Sequence, residues 1–509
     1  MKQVLEINGE NLSIEQLVGC GLGQYKLELS QDAEQKVEKA RGFVNRIIDE
    51  NRVVYAVTTG VGNFASVKIS THQSNDLQLN IIRSHCVGVG QPLNPNRARM
   101  LLALRINVLA KGHSGVSLGV LQQMIDAFNS FCVSWIPEKG SVGCSGDLAP
   151  LAHLTLGLLG EGKMWSPETG WASAKVVLES HGLKPINLCA KEGITLINGT
   201  QLIVALGAEA VQRAEMAAKQ ADVISAMTLE ALKGSSKCFD KIIHQTRPHT
   251  GQSKVAARLR ALLTSQNSSS ISESHKACQK VQDSYSLRCI PQVHGIVHDT
   301  IEFAKNIIAT EINSATDNPL IFEDRELVLS NGNFHGEYPG KALDYLAIGV
   351  HELAQISERR LERLLNKVSE NKVLCHPSTV DSIPTSAGQE DHVAMATFAA
   401  RKALSVLENV EQVLAIELLC VCQALDFLKP LTTTPILHKV YDLVRKQIPF
   451  LDKDRYLSDD IATVVELLKE GQVWDVVKSH IIEYEIKDAI TQSMVTNGHP
   501  INGTNGFSH

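Results

Sequence analysis

The stretch from Val413 to Cys422 has the sequence VLAIELLCVC and is apolar on every side of a helix. Such a helix must be buried all round, so it predicts a bundle in which neighbouring helices cover it. It forms the second half of a longer helical pattern from Val393 to Leu428. Glu417 lies inside this stretch, and because an isolated buried carboxylate is costly to ionise, Glu417 needs a partner.

Other segments repeat the helical pattern. Residues 341–365 carry Leu and Val at three- and four-residue steps, which predicts one apolar face over about 25 residues. Asn94-Pro95 predicts an N-cap followed by proline in the first helical turn, and this helix ends near Gly112. Strand-like alternation is weak except at Val53–Val57 and Glu326–Leu329. We therefore predict a mainly α fold built around a long central helical bundle.

The sequence offers no domain boundary. The 509 residues contain no Pro/Gly/Ser-rich linker, long charge run or internal repeat. We therefore predict one catalytic unit over residues 1–500 and a disordered tail over 491–509. The parts of this unit are an N-terminal part (about 1–200), a central helical bundle (about 200–430) and a C-terminal helical part (about 431–490).

Composition excludes several classes of function. The net charge is −6 and Lys and Arg are dispersed, so we expect neither nucleic acid nor a membrane as a partner. The first residues lack the apolar core of a signal peptide, and eleven cysteines without framework spacing are typical of a reducing compartment. We expect a cytoplasmic protein. No His-Glu-x-x-His motif occurs, and no metal is expected.

Cys144-Ser145-Gly146 is a tripeptide from which the backbone can build its own electrophile. The amide nitrogen of Gly146 can attack the carbonyl carbon of Cys144, and loss of water closes a five-membered ring. Dehydration of Ser145 then leaves an exocyclic methylidene. Glycine has no side chain to hinder the attack, and only the carbonyl of residue 144 is used. Taken alone, the tripeptide is more typical of an ordinary turn.

The surrounding motifs change that interpretation. The chain resembles the aromatic amino acid ammonia-lyase family from about Glu6 to about Val477. The motifs that carry the resemblance are VVYAVTTG (53–60), RSH (83–85), SVGCSGDLAPL (141–151), LINGTQ (196–201), QDSYSLR (282–288), NFHGE (333–337) and QEDH (389–392).

The resemblance implies a fold, a cofactor and an assembly. The fold is the ammonia-lyase one, with an N-terminal region that bears the ring and a bundle of long helices that pack into a homotetramer with shared active sites. The ring is 4-methylideneimidazole-5-one (MIO), made from residues 144–146, and no convincing lysine context suggests pyridoxal phosphate. The reaction is the non-oxidative removal of ammonia from a small-molecule amino acid.

The resemblance also assigns roles to residues of this sequence. The catalytic residues that it implies are Tyr55, Cys144, Ser145, Gly146 and Tyr285, and the substrate-binding residues are His85, Asn198, Gln282, Arg288 and Phe334. We add Glu417 to the catalytic residues because it is a carboxylate inside an apolar helix. Tyr55 would transfer a proton, and Arg288 would pair with the substrate carboxylate through its planar fork. Asn198 would hydrogen-bond both substrate and ring, while Phe334 would close over the substrate. Without the resemblance, a packing tyrosine and a structural arginine ion pair are the simpler alternatives.

Two residues indicate which amino acid is the substrate. His85 follows Ser84 where tyrosine- and phenylalanine-specific relatives usually carry other pairs. A substrate imidazole could hydrogen-bond to His85 and Glu417 together, which favours histidine as substrate and urocanate as product. The alternative for Glu417 is a structural pairing with a neighbouring Arg or Lys.

Four departures from the family pattern leave further alternatives open. Cys144 replaces the usual alanine, Ala56 a glycine and Val61 a phenylalanine. Family members also carry roughly 30 more residues after Asn366, including a glycine-rich turn and most of a helix. The loss of a buried helix would open a large cavity. The alternatives are a catalytically impaired isoform that acts as a subunit partner, or a lyase or aminomutase for another aromatic amino acid.

Overall fold

Helices form most of the chain, which confirms the predicted mainly α fold. The structure, a computed structural model, describes residues 3–62, 65–69, 71–264, 269–276, 281–362, 371–385 and 389–496. Its helices are α1 Ile14–Gly21, α2 Gln31–Asp49, α3 Thr71–His85, α4 Pro95–Ala110, α5 Leu118–Asn129, α6 Leu148–Leu158, α7 Ala174–Ser180, α8 Glu192–Ile197, α9 Gln201–Ala231, α10 Lys241–Gln245, α11 Thr250–Leu263, α12 Ser270–Ser274, α13 Tyr285–Arg288, α14 Ile290–Ile312, α15 Glu337–Glu362, α16 Asn371–Leu374, α17 Ala396–Phe427, α18 Pro435–Arg445, α19 Ser458–Lys469 and α20 Gln472–Thr496.

Within the described ranges, short strands form four small sheets. The strands are β1 Gln3–Ile7, β2 Tyr25–Leu29, β3 Val89–Pro92, β4 Val133–Ser134, β5 Pro137–Lys139, β6 Lys163–Ser166, β7 Gly170–Ser173, β8 Leu320–Phe322 and β9 Leu327–Leu329. β1 pairs with β2 in parallel, with Gln3 opposite Tyr25. The other sheets, β3-β5, β4-β6-β7 and β8-β9, are antiparallel.

The helices predicted from periodicity are present. α4 begins at Pro95, and the Asn94 side chain accepts a hydrogen bond from the Asn96 amide at 2.9 Å, as an N-cap should. α15 and α17 occupy the two long apolar patterns. In the stretch 413–422 no residue is exposed, although four of the ten are only half-buried. Among the described residues, no helix has both the length and the apolar composition needed to cross a bilayer.

One of the two predicted strands is wrong. Glu326–Leu329 does contain a strand, β9, but Val53–Val57 does not form one, and its residues 55–57 lie in a turn. Here the Thr58 hydroxyl accepts from the Val54 amide at 2.9 Å and donates to the Arg52 carbonyl at 2.6 Å. These local bonds give the backbone an alternative to a sheet ladder. Ala56 has φ +58°, in the left-handed region, which also interrupts an extended strand.

The chain divides into two compact units, and the predicted catalytic unit with its three parts stays a prediction. Unit 1 comprises residues 1–212, 303–346 and 376–404; unit 2 comprises residues 213–302, 347–375 and 405–509. Each unit combines segments distant in sequence, so the predicted limits near residues 200 and 430 do not separate them. α20 reaches Thr496, six residues into the predicted tail, and 497–509 lie outside the described residues. So do 363–370, where the sequence predicts a missing segment.

α4 lies at the centre of unit 1, where it packs against α1 and α5. Every residue from Ala98 to Ala110 is buried, including Arg99 and Arg105. Arg99 donates to the Phe128 carbonyl at 2.7 Å and to the Cys20 carbonyl at 3.0 Å, and its guanidinium lies over the Phe128 ring. Backbone oxygens and aromatic faces thus compensate for the loss of water around this charge.

Unit 2 contains a buried ionic cluster centred on Asp222 of α9. The carboxylate of Asp222 accepts hydrogen bonds from Arg258 (2.9 Å), His294 (2.8 Å) and His298 (3.0 Å). These partners hold the pKa of Asp222 well below its usual range, even though burial alone would raise it. α20 packs against α11, α18 and α19 in the same unit.

Asp222→Asn should destabilise unit 2 by about 3–5 kcal/mol, because it leaves the buried Arg258 without its counter-charge. Because the folded pKa is depressed, this contribution is complete at pH 7 and is lost as the pH falls below the ordinary aspartate value of about 3.9. Thermal unfolding at pH 7 and pH 3 measures both effects. Asp442→Asn, which breaks an exposed pair with His438, is the control and should change little. Equal effects of the two substitutions would contradict this account of the cluster.

Candidate active site

The tripeptide 144–146 lies in unit 1, in the loop between β5 and α6. Gly143 and Gly146 have φ +75° and +70°, values that favour glycine. Gly146 pairs with Gly199 in an isolated parallel bridge, and the Asp147 amide donates to the Gly199 carbonyl at 2.7 Å. A Cβ atom on Gly146 would lie 2.6 Å from the carbonyl carbon of Gly199. Only glycine therefore allows the two backbones to approach so closely.

Asp147 ties this loop to the start of α9. Its buried carboxylate accepts from the Ile203 amide at 2.9 Å, the Ser141 hydroxyl at 2.8 Å and the Thr397 hydroxyl at 2.9 Å. The amide lies in the first turn of α9, where a negative charge is favoured. Burial nevertheless raises the pKa of Asp147, against the effect of these donors.

Asn198 holds the loop from the other side. Its side-chain amide group donates to the Ser145 backbone carbonyl at 2.8 Å, while the backbone carbonyl of Asn198 accepts from Arg105 at 2.8 Å. The side-chain oxygen of Asn198 is buried and has no hydrogen-bond partner among the described residues. A buried amide oxygen left unpaired is costly, so this atom is suited to accept a hydrogen bond from a ligand.

A cavity of about 970 Å³ opens beside the tripeptide. Six of the predicted site residues line it: Tyr55, His85, Cys144, Ser145, Asn198 and Phe334. All belong to unit 1. Most of the exposed lining surface is apolar, and about half of the lining residues carry polar or charged side chains, which gives a small ligand several hydrogen-bonding groups.

Tyr55 and His85 are both positioned by local backbone contacts. The Tyr55 hydroxyl accepts from the Gly62 amide at 3.2 Å, within the loop that contains the left-handed Ala56. His85 Nδ1 lies 2.7 Å from the Ile81 carbonyl oxygen, which can only accept. We assign the proton of the neutral ring to Nδ1 on this basis, so Nε2 is the acceptor nitrogen.

Three further predicted residues form a cluster of their own in unit 2. Arg288 donates to the Asp283 carbonyl at 3.0 Å, and its guanidinium lies 4.7 Å from the centre of the Tyr285 ring. We assign the Gln282 side-chain amide so that its oxygen faces Arg288 and accepts from the guanidinium. Tyr285 is 71% exposed. No carboxylate side chain in the described part of the chain forms an ion pair with Arg288. Its fork is thus not used in a structural ion pair.

Glu417 has partners within unit 2. It is fully buried, and its two oxygens accept from both Nε and Nη2 of Arg360, the latter at 2.8 Å. Thr228 and Ser357 donate to it at 2.7 and 2.5 Å. This is the structural pairing that the sequence left open as an alternative. A role in substrate binding stays a prediction.

Glu390 is a site residue that the sequence analysis did not single out. Its carboxylate accepts hydrogen bonds from the Ser145 and Thr385 hydroxyls and from the Cys144 thiol at 3.2 Å. His335 also lines the cavity, and its ring stacks on that of His392. Glu390 and both histidines lie within quoted motifs, QEDH and NFHGE, so their polar side chains were the available signal.

Comparison with known proteins assigns the family. A family model described as aromatic amino acid lyase matches residues 12–368 and 366–446, most of the chain. The chain belongs to the aromatic amino acid lyase family. Histidine ammonia-lyase of Caenorhabditis elegans is 56% identical over 518 residues, which cover 96% of this chain and 76% of the relative.

Solved structures of the family share the fold. Histidine ammonia-lyase from Trypanosoma cruzi superposes with a TM-score of 0.87 at 48% identity, over 94% of this chain and 95% of that one. Tyrosine aminomutase from Streptomyces globisporus gives 0.86 at 32% identity, over 94% and 98%. The lyase fold therefore accommodates more than one reaction.

The family match is interrupted at the predicted gap. The two matched segments of the lyase model meet at residues 366–368. The alignment with the nematode relative extends over 518 residues, whereas 96% of this 509-residue chain is about 489 residues. About 29 aligned positions therefore have no residue in this chain, which agrees with the predicted omission after Asn366.

Gly146→Ala should destabilise unit 1 by about 2–4 kcal/mol, because alanine resists φ +70° and its methyl group would overlap Gly199. Gly42→Ala is the matched control. Gly42 lies within α2 with open space around its Cβ position, so alanine should be neutral or stabilise by up to about 1 kcal/mol. Thermal unfolding of both variants checks this, and a Gly146→Ala variant as stable as the wild type would contradict the close approach.

Proposed function

We propose that this lyase removes ammonia from L-histidine and releases trans-urocanate, the first step of histidine degradation. One observation carries the proposal. Cys144-Ser145-Gly146 lies against Asn198-Gly199 in a cavity that Tyr55 and His85 also line. The identity to histidine ammonia-lyases over most of the chain supports the same reaction.

The residues around the tripeptide fit an MIO ring. Gly146 has the left-handed conformation that glycine adopts readily, and because it has no side chain its backbone can lie against Gly199 and its amide nitrogen is not shielded from the Cys144 carbonyl. Asn198 is hydrogen-bonded to the Ser145 carbonyl and would hold the ring in place. When formed, the ring supplies an electrophile that protein side chains lack.

The side chains of the cavity would bind the substrate and move its protons. Tyr55 would take the β-proton, with its hydroxyl placed by the Gly62 amide. His85 Nε2 would accept a hydrogen bond from the substrate imidazole, because Nδ1 is already bound to Ile81. The unpaired Asn198 oxygen would accept from the substrate amine, and Phe334 would exclude water.

Arg288, with Gln282 and Tyr285, would bind the substrate carboxylate. Its guanidinium has no carboxylate partner among the described residues, so a substrate carboxylate could pair with it by replacing the neutral oxygens of Asp283 and Gln282. These residues belong to unit 2. We propose, as the resemblance implies, that they complete the active site of a neighbouring copy in a homotetramer. A cytoplasmic location also stays a prediction, supported by eleven cysteines without framework spacing.

A catalytically impaired member of the family is the second candidate. The interruption of the family match at residues 366–368 favours it, because a bundle that lacks a helical segment loses buried contacts. The intact mass of the purified chain separates the two. A chain that forms the ring is lighter by two waters than its sequence requires, and a chain at its encoded mass is not an MIO enzyme.

Histidine should be the preferred substrate among aromatic amino acids. A site that hydrogen-bonds the imidazole loses those bonds with phenylalanine, which should reduce kcat/KM by about 10⁴-fold or more. Ammonia release from histidine, phenylalanine and tyrosine, with urocanate detected by its absorbance, measures the preference. Equal or faster turnover of phenylalanine would reject the assignment to histidine.

Glu417→Gln should reduce kcat/KM for histidine about 10- to 100-fold more than for phenylalanine, if Glu417 binds the imidazole. Glu411→Gln is the matched control. Glu411 lies on the same helix and forms a similar two-bond pair with Arg213 at 3.1 and 2.9 Å. Both variants should lose stability, but Glu411→Gln should not alter the ratio between substrates. An unchanged ratio in Glu417→Gln would leave Glu417 with the structural role alone.

A further inference from the structure

Glu390 is held against the hydroxyl group that ring formation must remove. One of its oxygens accepts from Ser145 and the other from Thr385 and Cys144. Its backbone is fixed as well, because Glu390 and Thr385 exchange two amide-to-carbonyl bonds of 3.3 and 3.0 Å. The carboxylate therefore has a defined position next to Ser145.

The dehydration of Ser145 needs such a group. The Cα proton of a serine is weakly acidic, and hydroxide is a poor leaving group unless it receives a proton. A positioned acid or base typically accelerates proton transfer by about 10²–10⁴-fold. Cα is only two bonds from Oγ, so one carboxyl group beside Oγ can serve both atoms.

Two other acidic groups nearby are less suited to this task. The carboxylate of Asp147 already accepts hydrogen bonds from Ile203, Ser141 and Thr397. The thiol of Cys144 itself donates to Glu390, and burial raises its pKa, so it is protonated at neutral pH. Among the described residues, Glu390 is the carboxylate in hydrogen-bond contact with the Ser145 hydroxyl.

We propose that Glu390 is the catalytic base and acid for the dehydration of Ser145 during ring formation. This inference rests on the proposed function. The carboxylate takes the Cα proton, and the electron pair of the broken Cα–H bond forms the Cα–Cβ double bond. The Cβ–Oγ bond breaks, and Oγ leaves as water with the proton that Glu390 has just taken up. Glu390 ends as the carboxylate, so one water is lost and no other reactant is needed.

The test follows the mass of the full-length chain after expression and with time. The wild type should become lighter by two waters. Glu390→Gln keeps the size and hydrogen bonding of the side chain but cannot take up a proton, so it should lose at most the water of ring closure. Loss of the second water should be about 10²-fold slower. Asp391→Asn, the same chemical change at the next position, should mature as the wild type does.

Chemical rescue separates catalysis from a structural role. Glu390→Ala should stay immature in buffer and lose the second water when formate is added, because formate can occupy the vacated position. Full maturation of Glu390→Gln at the wild-type rate overturns the proposal. So does failure of formate to rescue a Glu390→Ala chain whose circular dichroism and melting temperature match the wild type. If Glu390→Ala does not fold, Glu390→Asp decides: it must mature, more slowly than the wild type, for the proposal to stand.

The wild-type chain distinguishes this inference from the proposed function. If the wild type stays at its encoded mass, the MIO assignment fails and the role of Glu390 fails with it. If the wild type loses two waters and the Glu390 variants do so equally, the proposed function survives and the role of Glu390 does not.

Discussion

The approach of the Gly146 backbone to that of Gly199 is the constraint on which the site depends. It is possible because neither residue carries a side chain at the point of contact, and both have positive φ. With the two backbone segments in contact, the Asn198 side chain can donate to the Ser145 carbonyl, and the Asp147 carboxylate can accept from an amide in the first turn of α9. Three elements, the ring-forming loop, α6 and α9, are thus joined at one point. Arg105 of α4 also holds Asn198 in place by donating to its backbone carbonyl.

Buried charges also occur away from this contact, and Arg99, Asp222 and Glu417 each have several partners. Arg99 is bound by carbonyl oxygens and aromatic rings, Asp222 by two histidines and an arginine, and Glu417 by Arg360, Thr228 and Ser357. A buried ion with several partners is costly to disrupt but adds little net stability. Full occupation of both Glu417 oxygens therefore means that a substrate imidazole would have to share or displace an existing donor. His85 differs from Glu417, because its Nε2 has no hydrogen-bond partner among the described residues and could bind the imidazole without displacing one.

The sequence predicts what local spacing determines. The positions of α4, α15 and α17 follow from apolar periodicity and from the Asn94-Pro95 cap, because both act within a few residues. The alternation pattern wrongly predicts a strand at Val53–Val57. It does not register that the Thr58 hydroxyl binds the Val54 amide, which a strand would use for pairing. The family motifs predict that Tyr55, His85 and Asn198 belong to one site, and these residues do line one cavity. Glu390 lies in the QEDH motif as well, but the spacing of residues does not indicate its contact with Ser145, which is 245 positions away.

Cys144 shows how a departure from the family pattern can be compatible with the chemistry. Ring closure uses only the carbonyl of this residue, so the thiol takes no part in it. As a nucleophile, however, the thiol could react with the electrophilic ring. The thiolate is the reactive form, and burial together with the neighbouring Glu390 carboxylate raises the pKa of Cys144. The same carboxylate that contacts the Ser145 hydroxyl thus keeps the thiol protonated. Burial and the Glu390 carboxylate thus act in the same direction, and both disfavour the thiolate of Cys144 beside the newly formed electrophile.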